Sequence, residues 1–448
     1  MGPATSVRRL QSQLSDPLLI MDGYCSDDGS EDVAALLLLV VTAAATAQCM
    51  RPRKRPRRSL QKPSVRAPPW SWGDFIKRTL NEQECIALFR MNIECLEALH
   101  DRIGKNLTTE KPAQGERSSG HSCTSMQRLC VALRFMAGGA HHDIRRVFSP
   151  MGPQGVYDSV HLVVDAVNHE MKDDWTFPRD DVAKLKELEK AFRALSPDSQ
   201  CWIGQVGCVD GMDIAQGRPP TRDAQRYYVS RKGGYMLLLL AIADANRRIL
   251  WWDMSSAATT HDKTALLETK LGAILAAGSL PHPFFISGDA AFRMPSPSLL
   301  CPVPAGWDGW DNYNYVQSSL RMPIECAFGI LYRRWGVLWR PLTIAFERRP
   351  KLVSCLIRLN NWCIDGNIDA EIPIDSVSGT PPLFDRHGRI VRAVRERRGS
   401  DEGPHLFDAP AGARTAEQMR TMLRNRIAEA GIVRPPSSRR RSSPPTDV

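Results

Sequence analysis

Apolar residues recur along this chain in two rhythms, and the change from one to the other divides it. From Glu84 to Ile103, Ile86, Phe89, Ile93, Leu96, Leu99 and Ile103 fall three or four residues apart, which predicts one amphipathic helix. Met126–Gly138 repeats that spacing and closes on Gly138-Gly139 as a helix C-cap. His141–Phe148 and Gln154–Met171 add a short and a long helix, the second beginning after Pro153. The expected result is an all-α N-terminal domain over 75–172. Helix, glycine-containing turn, helix is also the pattern of a helix-turn-helix DNA reader, although any helical bundle gives the same spacing. A helix at Asp181–Leu195, within a linker over 173–199, leads onward.

After Gln200 the rhythm shortens. Trp202–Ile214, Tyr235–Asp244 and Arg248–Met254 are β-rich runs, the last two joined through Ala245-Asn246-Arg247 as a tight hairpin. Asp262–Ala277 reads as helix, Pro283–Ser287 as a short buried strand ending at Gly288-Asp289, and a proline-rich stretch, Met294–Gly306, leads to a helix at Leu320–Arg340. In that helix Ile324, Phe328, Leu331 and Trp335 mark the buried face, and Pro323 suits a first turn. Three strands, helix, strand, helix describe an α/β domain over 200–370, a mixed sheet with helices packed on it. No repeat with a period of 20–50 residues is present.

Against this pattern three acids stand out. Asp210 interrupts an apolar strand and is followed by Gly211, Asp289 follows an apolar strand and Gly288, and Glu325 lies on the shoulder of the buried helical face. Glycine beside each Asp lets backbone come close to a ligand. Glu325 has two readings, a salt bridge to Arg321 one turn back or a divalent metal shared with acids from elsewhere. Two aspartates at strand ends and a glutamate on the following helix are what a two-metal site needs, oxygen donors suited to two Mg²⁺ or Mn²⁺ ions. Between Asp289 and Glu325 lie 35 residues, room for a strand or loop before the helix returns. Asp213, expected on the same side of the first strand but farther along, is a rival of Asp210 expected to fall outside the ligand set.

Charge refines the picture. The chain has 448 residues and a net charge of +10, and ten basic positions in two tails carry that excess. Six are Arg51, Arg53, Lys54, Arg55, Arg57 and Arg58, and four are Arg434, Arg439, Arg440 and Arg441. The first run reads as a nuclear-import signal, so a nuclear location is expected. Residues 1–69 and 371–448 have the composition of disordered tails, the second with one helix. Val33–Cys49 is an apolar island of 17 residues, short for a bilayer span, and a docked helix or partly ordered arm is preferred to a membrane anchor. Twelve cysteines with no C-x-x-C pair point to a reducing compartment and away from a zinc site.

The segments GCVDGMDI, SRKGGYMLLLLAIAD, ISGDAAF, SSLRMPIECAFGILYRRWG and RLNNWCID, with the His261-Asp262 pair, resemble the PIF/Harbinger transposase-derived nucleases. That family includes antagonists of heterochromatin-type silencing in plants and fungi and the vertebrate Harbinger-derived nuclease. Upstream, ALFRMNIECLEAL, ALRFMAGGAHHDI and VYDSVHLVVDAVN resemble its N-terminal helices, so the likeness runs from about 85 to 370. It implies an RNase H-like core whose DDE triad is Asp210, Asp289 and Glu325, holding the metal and cutting, or also joining, DNA phosphodiesters. It also implies a separate Myb-like protein for sequence recognition; oligomeric state stays open. Arg231, Lys232, Arg321, Arg333 and Arg334 are the candidate DNA-binding rim, with Tyr332 and Trp335 beside it, though the helical spacing of Trp335 favours core packing. The family has Thr-His where this chain has Met212-Asp213, and Leu-His-Asn where it has Leu359-Asn360-Asn361. A catalytically silent, domesticated DNA- or chromatin-associated scaffold is the alternative, and a membrane-tethered protein the weakest reading.

Overall fold

The strand that carries Asp210 is the centre of the molecule, because its neighbours pair on both edges and helices cover both faces. A computed structural model describes residues 70–79, 82–108, 123–148, 151–304, 309–368 and 415–435. The basic run Arg51–Arg58, the island Val33–Cys49 and most of both expected tails lie outside them. No helix among the described residues is long and apolar enough to cross a membrane.

Helices α1 (Trp72–Thr79), α2 (Glu82–Phe89), α3 (Ile93–Ile103), α4 (Ser125–Met136), α5 (His141–Val147), α6 (Pro153–Glu170) and α7 (Val182–Leu195) precede the first strand. Where the periodicity predicts one helix over Glu84–Ile103, there are two. Arg90 takes a left-handed φ of 66°, and the Asn92 side chain accepts from Cys95 N–H, starting α3 afresh without disturbing the apolar spacing. The helix expected over Asp262–Ala277 likewise divides, into α8 (Asp262–Leu267) and α9 (Lys270–Ala276), where the Thr269 hydroxyl caps the Gly272 N–H.

The sheet comprises β1 (Gln205–Gln216), β2 (Tyr228–Val229), β3 (Gly234–Ala243), β4 (Ile249–Asp253), β5 (Phe285–Gly288) and β6 (Leu299–Leu300). Its order is β2-β3-β1-β5-β6, with β4 also on β3. β1 runs antiparallel to β3 and parallel to β5, so the hairpin strands come first and the parallel strands are added on the far side. This is an RNase H-like mixed sheet flanked by helices. Asp244 makes the β3–β4 turn by accepting from the Arg248 N–H and guanidinium, with Arg247 left-handed between them. The side-chain amide of Asn361 exchanges hydrogen bonds with both backbone groups of Ile249, standing in for the next strand at this edge.

Strand alternation sorts β3 between two cores. Leu237, Leu239, Ala241 and Ala243 face the N-terminal helices, α10 (Asp311–Arg334) and α11 (Arg349–Asp365), whereas Leu238, Leu240 and Ile242 face α8 and α9. The first core is continuous from Phe89 and Leu133 through Val163 to Ile324, Leu331, Trp335 and Leu356. Residues on either side of 173–199 therefore share one interior. Helix α6, the longest of the expected N-terminal helical domain, is held against α11 through Arg348–Asp165 and through Asn168, which contacts Lys351 O and Arg358.

Helix α10 begins earlier than its apolar face downstream of Leu320 suggests. Tyr313, Val316 and Leu320 extend the buried stripe backwards, packed with Trp202, Phe285 and the C-terminal helix α12 (Ala416–Glu429). Pro323 is thus in the helix interior rather than the first turn. Its ring removes a backbone donor there, and one turn before it Gln205 Nε2 donates to the Leu320 carbonyl at 2.9 Å. Beyond α10 the chain turns at Gly336, where an added Cβ would lie 2.4 Å from the Ala137 carbonyl oxygen, so α4 and the end of α10 meet backbone to backbone. Trp335 is fully buried, in agreement with core packing.

Leu331→Ala is expected to destabilise the fold by about 2–5 kcal/mol in urea denaturation, because the residue is fully buried. Arg348→Ala, which breaks a solvent-facing pair, should cost under about 1 kcal/mol. Equal effects would mean that the α10 face is not packed as described.

Candidate active site

Asp210 sits where β1 leaves the cover of the parallel strands: Val209 pairs with Gly288, the last residue of β5, and Asp289 follows directly. Parallel pairing in this register puts the two aspartates side by side at one end of the sheet. Glu325 reaches the same place from α10. A buried polar network fixes that helix against the strands. Gln317 Nε2 donates to Gly288 O at 2.7 Å, and Gln205 Oε1 accepts from Trp202 Nε1 and Ser287 Oγ while its amide holds Leu320 O. Nothing in the periodicity of the sequence signals Gln205, one polar residue among apolar neighbours, or Gln317, which Ser318 and Ser319 follow as in a solvated stretch.

Asp210 lies close enough to the other two acids to be affected by both. The Asp210 carboxyl is pushed up to about 6, chiefly by burial, with Asp289 and Glu325 adding repulsion. Arg321 and the Gly211 N–H act in the opposite direction and do not prevail. The site therefore holds one half-buried carboxylate that resists ionisation, even with a guanidinium at 2.7 Å.

That guanidinium is the principal departure from expectation. Arg321 places Nη1 2.7 Å from Asp210 Oδ2 and Nη2 2.5 Å from Glu325 Oε1, so the salt bridge foreseen as the simpler reading of Glu325 is present and extends to Asp210. Arg321 is not part of an open DNA rim; its side chain is 14% exposed. Asp210 Oδ1 accepts from Gly211 N–H and Asp289 Oδ1 from Ala291 N–H. Among the described residues no group of three or more His, Cys, Asp or Glu side chains is placed to hold a metal ion. The donor chemistry suits Mg²⁺ or Mn²⁺; the arrangement, with an arginine between two of the three carboxylates, does not fit a pair of ions.

The remaining rim residues separate. Arg334 is fully enclosed, donating to Asn360 Oδ1 and to the carbonyls of Arg90 and Ile368, which ties α10 to α2 and α11 and withdraws it from DNA. Its spacing from Leu331 places it on the buried stripe, a signal that arginine's usual exposure conceals. Arg333 is half-buried in the last turn, eight residues and about 12 Å of helix rise beyond Glu325. Arg231 and Lys232 lie on the other side of the sheet, 3.8 and 2.9 Å from Asp213. Asp213 does not share the side of Asp210 as expected: it is three residues on, an odd step, and so faces the opposite side of β1, outside the set around Glu325.

On that opposite side is a cleft of about 890 Å³, lined by Arg231, Lys232, Lys263, His261, Thr260 and Asp262 among others. Asp262 opens α8 and lies against Gly211, where an added Cβ would sit 3.2 Å from its Oδ1. The glycine after Asp210 thus gives room to the Asp262 carboxylate. Burial, then Asp289 and Asp213, push its carboxyl up. Asp262 and Lys263 were not singled out as site residues from sequence, because a charged pair at a helix start ordinarily caps or solvates it.

Residues 209–361 match the family model described as DDE superfamily endonuclease, a span containing Asp210, Asp289 and Glu325. No curated protein and no solved structure matches the chain.

Because Asp210 titrates higher when folded than its ordinary 3.8, the stability it contributes is present below about pH 4 and lost as pH rises through about 6. The loss amounts to at most roughly 3 kcal/mol. Asp210→Asn should remove this slope. Melting temperatures from pH 4 to 7 should show wild type falling relative to the variant; parallel curves would contradict the burial of this carboxylate.

Proposed function

We propose that this chain is a DDE-type endonuclease or transposase of the Harbinger kind, acting on DNA phosphodiesters in the nucleus. The observation that carries the reading is the meeting of Asp210, Asp289 and Glu325 at one end of an RNase H-like sheet, inside the stretch similar to DDE endonucleases. Carboxylates that repel one another in a half-buried site cost stability, and a fold has no structural need to gather three of them. Asp210, Asp289 and Glu325 are the proposed catalytic and metal-binding residues, with a divalent ion such as Mg²⁺ or Mn²⁺ as the proposed cofactor once Arg321 turns aside; with Arg321 in place the set does not hold the two ions first expected. The arginine-bridged arrangement carries no step of that reaction, so the roles assigned here to the chain's own groups are binding and positioning.

Substrate binding follows from the cleft. Arg231, Lys232 and Lys263 offer charge to phosphates, and Ser230, Thr259 and Thr260 offer hydroxyl donors. A phosphodiester held there lies next to Asp262 and Ala291, the residue following Asp289 and Ala290, so a backbone tracked through the cleft approaches the acids from the α8 side. The basic run Arg51–Arg58 is proposed as the import signal and a Myb-like protein as the source of sequence recognition.

One observation favours a second reading. An arginine neutralising Asp210 and Glu325 is what a retired enzyme retaining its fold would also show, so a catalytically silent DNA- or chromatin-associated scaffold is the alternative.

Strand cleavage of supercoiled DNA in Mn²⁺, with and without a Myb-like partner, separates the two. Wild type is expected to nick, and Glu325→Gln to remain folded while losing about 10²-fold or more of that activity. Absence of nicking by wild type in either condition would favour the scaffold. Independently, Lys263→Ala should weaken DNA binding across sequences and lower the slope of log affinity against log salt by about 1; an unchanged slope would take the cleft out of DNA contact.

A further inference from the structure

Arg321 is placed unusually for a surface-facing helix residue. Its side chain is mostly buried, its two terminal nitrogens are divided between two carboxylates, and those carboxylates come from different elements, β1 and α10. A single acid would have sufficed to satisfy it. The divided contact instead places one positive charge between Asp210 and Glu325, where two anions would otherwise repel each other. Asp289, the third acid, makes no ion pair with an arginine among the described residues; its carboxylate accepts from the Ala291 N–H.

We infer that Arg321 is the resident cation of this carboxylate set, a tethered competitor that a divalent ion must displace before Asp210 and Glu325 can share it. This rests on the reading of the three acids as a metal site. Being covalently part of α10, Arg321 competes at a fixed local concentration, and it can yield only by rotating its long side chain towards solvent. Nearby Met322 is exposed and Glu325 is half exposed, so the outward side is open. The contact also explains how the metal-free fold tolerates the cluster: the charge that holds the acids together is built in. A metal-free chain is consequently stable, and ion binding is weaker than the same three acids would give unopposed, by the fraction of molecules in which Arg321 is in place.

The test is Mn²⁺ binding by the full chain, followed by calorimetric titration and by melting temperature, without reference to cleavage. Wild type is compared with Arg321→Gln, with Arg321→Lys, which keeps the charge without the two-pronged contact, and with Arg146→Gln, which removes an equal charge from an exposed position on α5, away from the acids and the cleft. Arg321→Gln is expected to bind Mn²⁺ about tenfold or more tightly than wild type, to melt lower without metal, and to regain that loss in millimolar Mn²⁺. Arg321→Lys should fall between, and Arg146→Gln should stay near wild type. Should Arg321→Gln not fold without metal, refolding on Mn²⁺ addition and the tightening in Arg321→Lys decide the matter. If wild type binds Mn²⁺ through Asp210 and Glu325, as shown by loss in Asp210→Asn and Glu325→Gln, yet neither Arg321 variant binds more tightly, the competition is refuted while the metal site stands. Equal tightening in Arg146→Gln would reduce the effect to net charge and refute it as well. If no variant and not wild type binds Mn²⁺, both the competition and the metal-site reading fall.

Discussion

The geometry of the candidate site depends on how helix α10 is seated on the sheet. Two glutamine amides do this seating. Gln205 reaches from β1 to the Leu320 carbonyl, and Gln317 reaches back from the helix to the Gly288 carbonyl at the end of β5. Both are buried, so each lost contact would leave an amide with no water to replace it, which makes the pair directional in a way that apolar packing is not. Leucine and isoleucine side chains would tolerate a small slide of the helix; these hydrogen bonds do not. Pro323 belongs to the same arrangement, since a helix interrupted near Leu320 has backbone polarity to share with the strand.

Seen from this seating, the contrasting fates of two arginines on α10 have one explanation. Arg321 and Arg334 lie thirteen residues apart on one helix, and both are drawn inward, yet only one meets carboxylates. Arg334 is enclosed by carbonyls and Asn360, where its charge is spread over partial dipoles and its work is to join α10 to helices from distant parts of the chain. Arg321 meets full negative charges at the sheet end. The same residue type thus serves cohesion at one end of the helix and electrostatic balance at the other.

Much of this was legible in the sequence and the rest has identifiable reasons. Periodicity placed the helices and strands because burial imposes it, and the three acids were visible as charges where burial predicts none. Helix breaks at Arg90–Asn92 and at Thr269 were hidden, because a cap can restart a helix without breaking its apolar spacing. Asp262 was hidden because its partners, Gly211 and Asp289, are adjacent only once β1 and β5 pair. The assignment of Arg334 to the DNA rim failed on a general expectation, that arginine stays outside, where the local one, its place on the buried stripe, was correct. The departures from the family pattern at Met212-Asp213 and at Asn360 resolve into local roles: Asp213 holds Lys232, and Asn360 accepts from the enclosed Arg334 guanidinium.

The interior shared by the N-terminal helices and the sheet bears on how this protein can be divided. A fragment starting at residue 200 would contain every acid of the candidate site and the whole sheet, and would match the boundaries that secondary structure suggests. It would also lay bare Ile324, Leu331, Trp335 and Leu356 along one side, and leave Arg334 without the Arg90 carbonyl. Such a piece is a half-open core with the solubility of one. Recombination or truncation at that point separates nothing that can stand alone, so the helices upstream travel with the sheet as a single heritable and expressible unit.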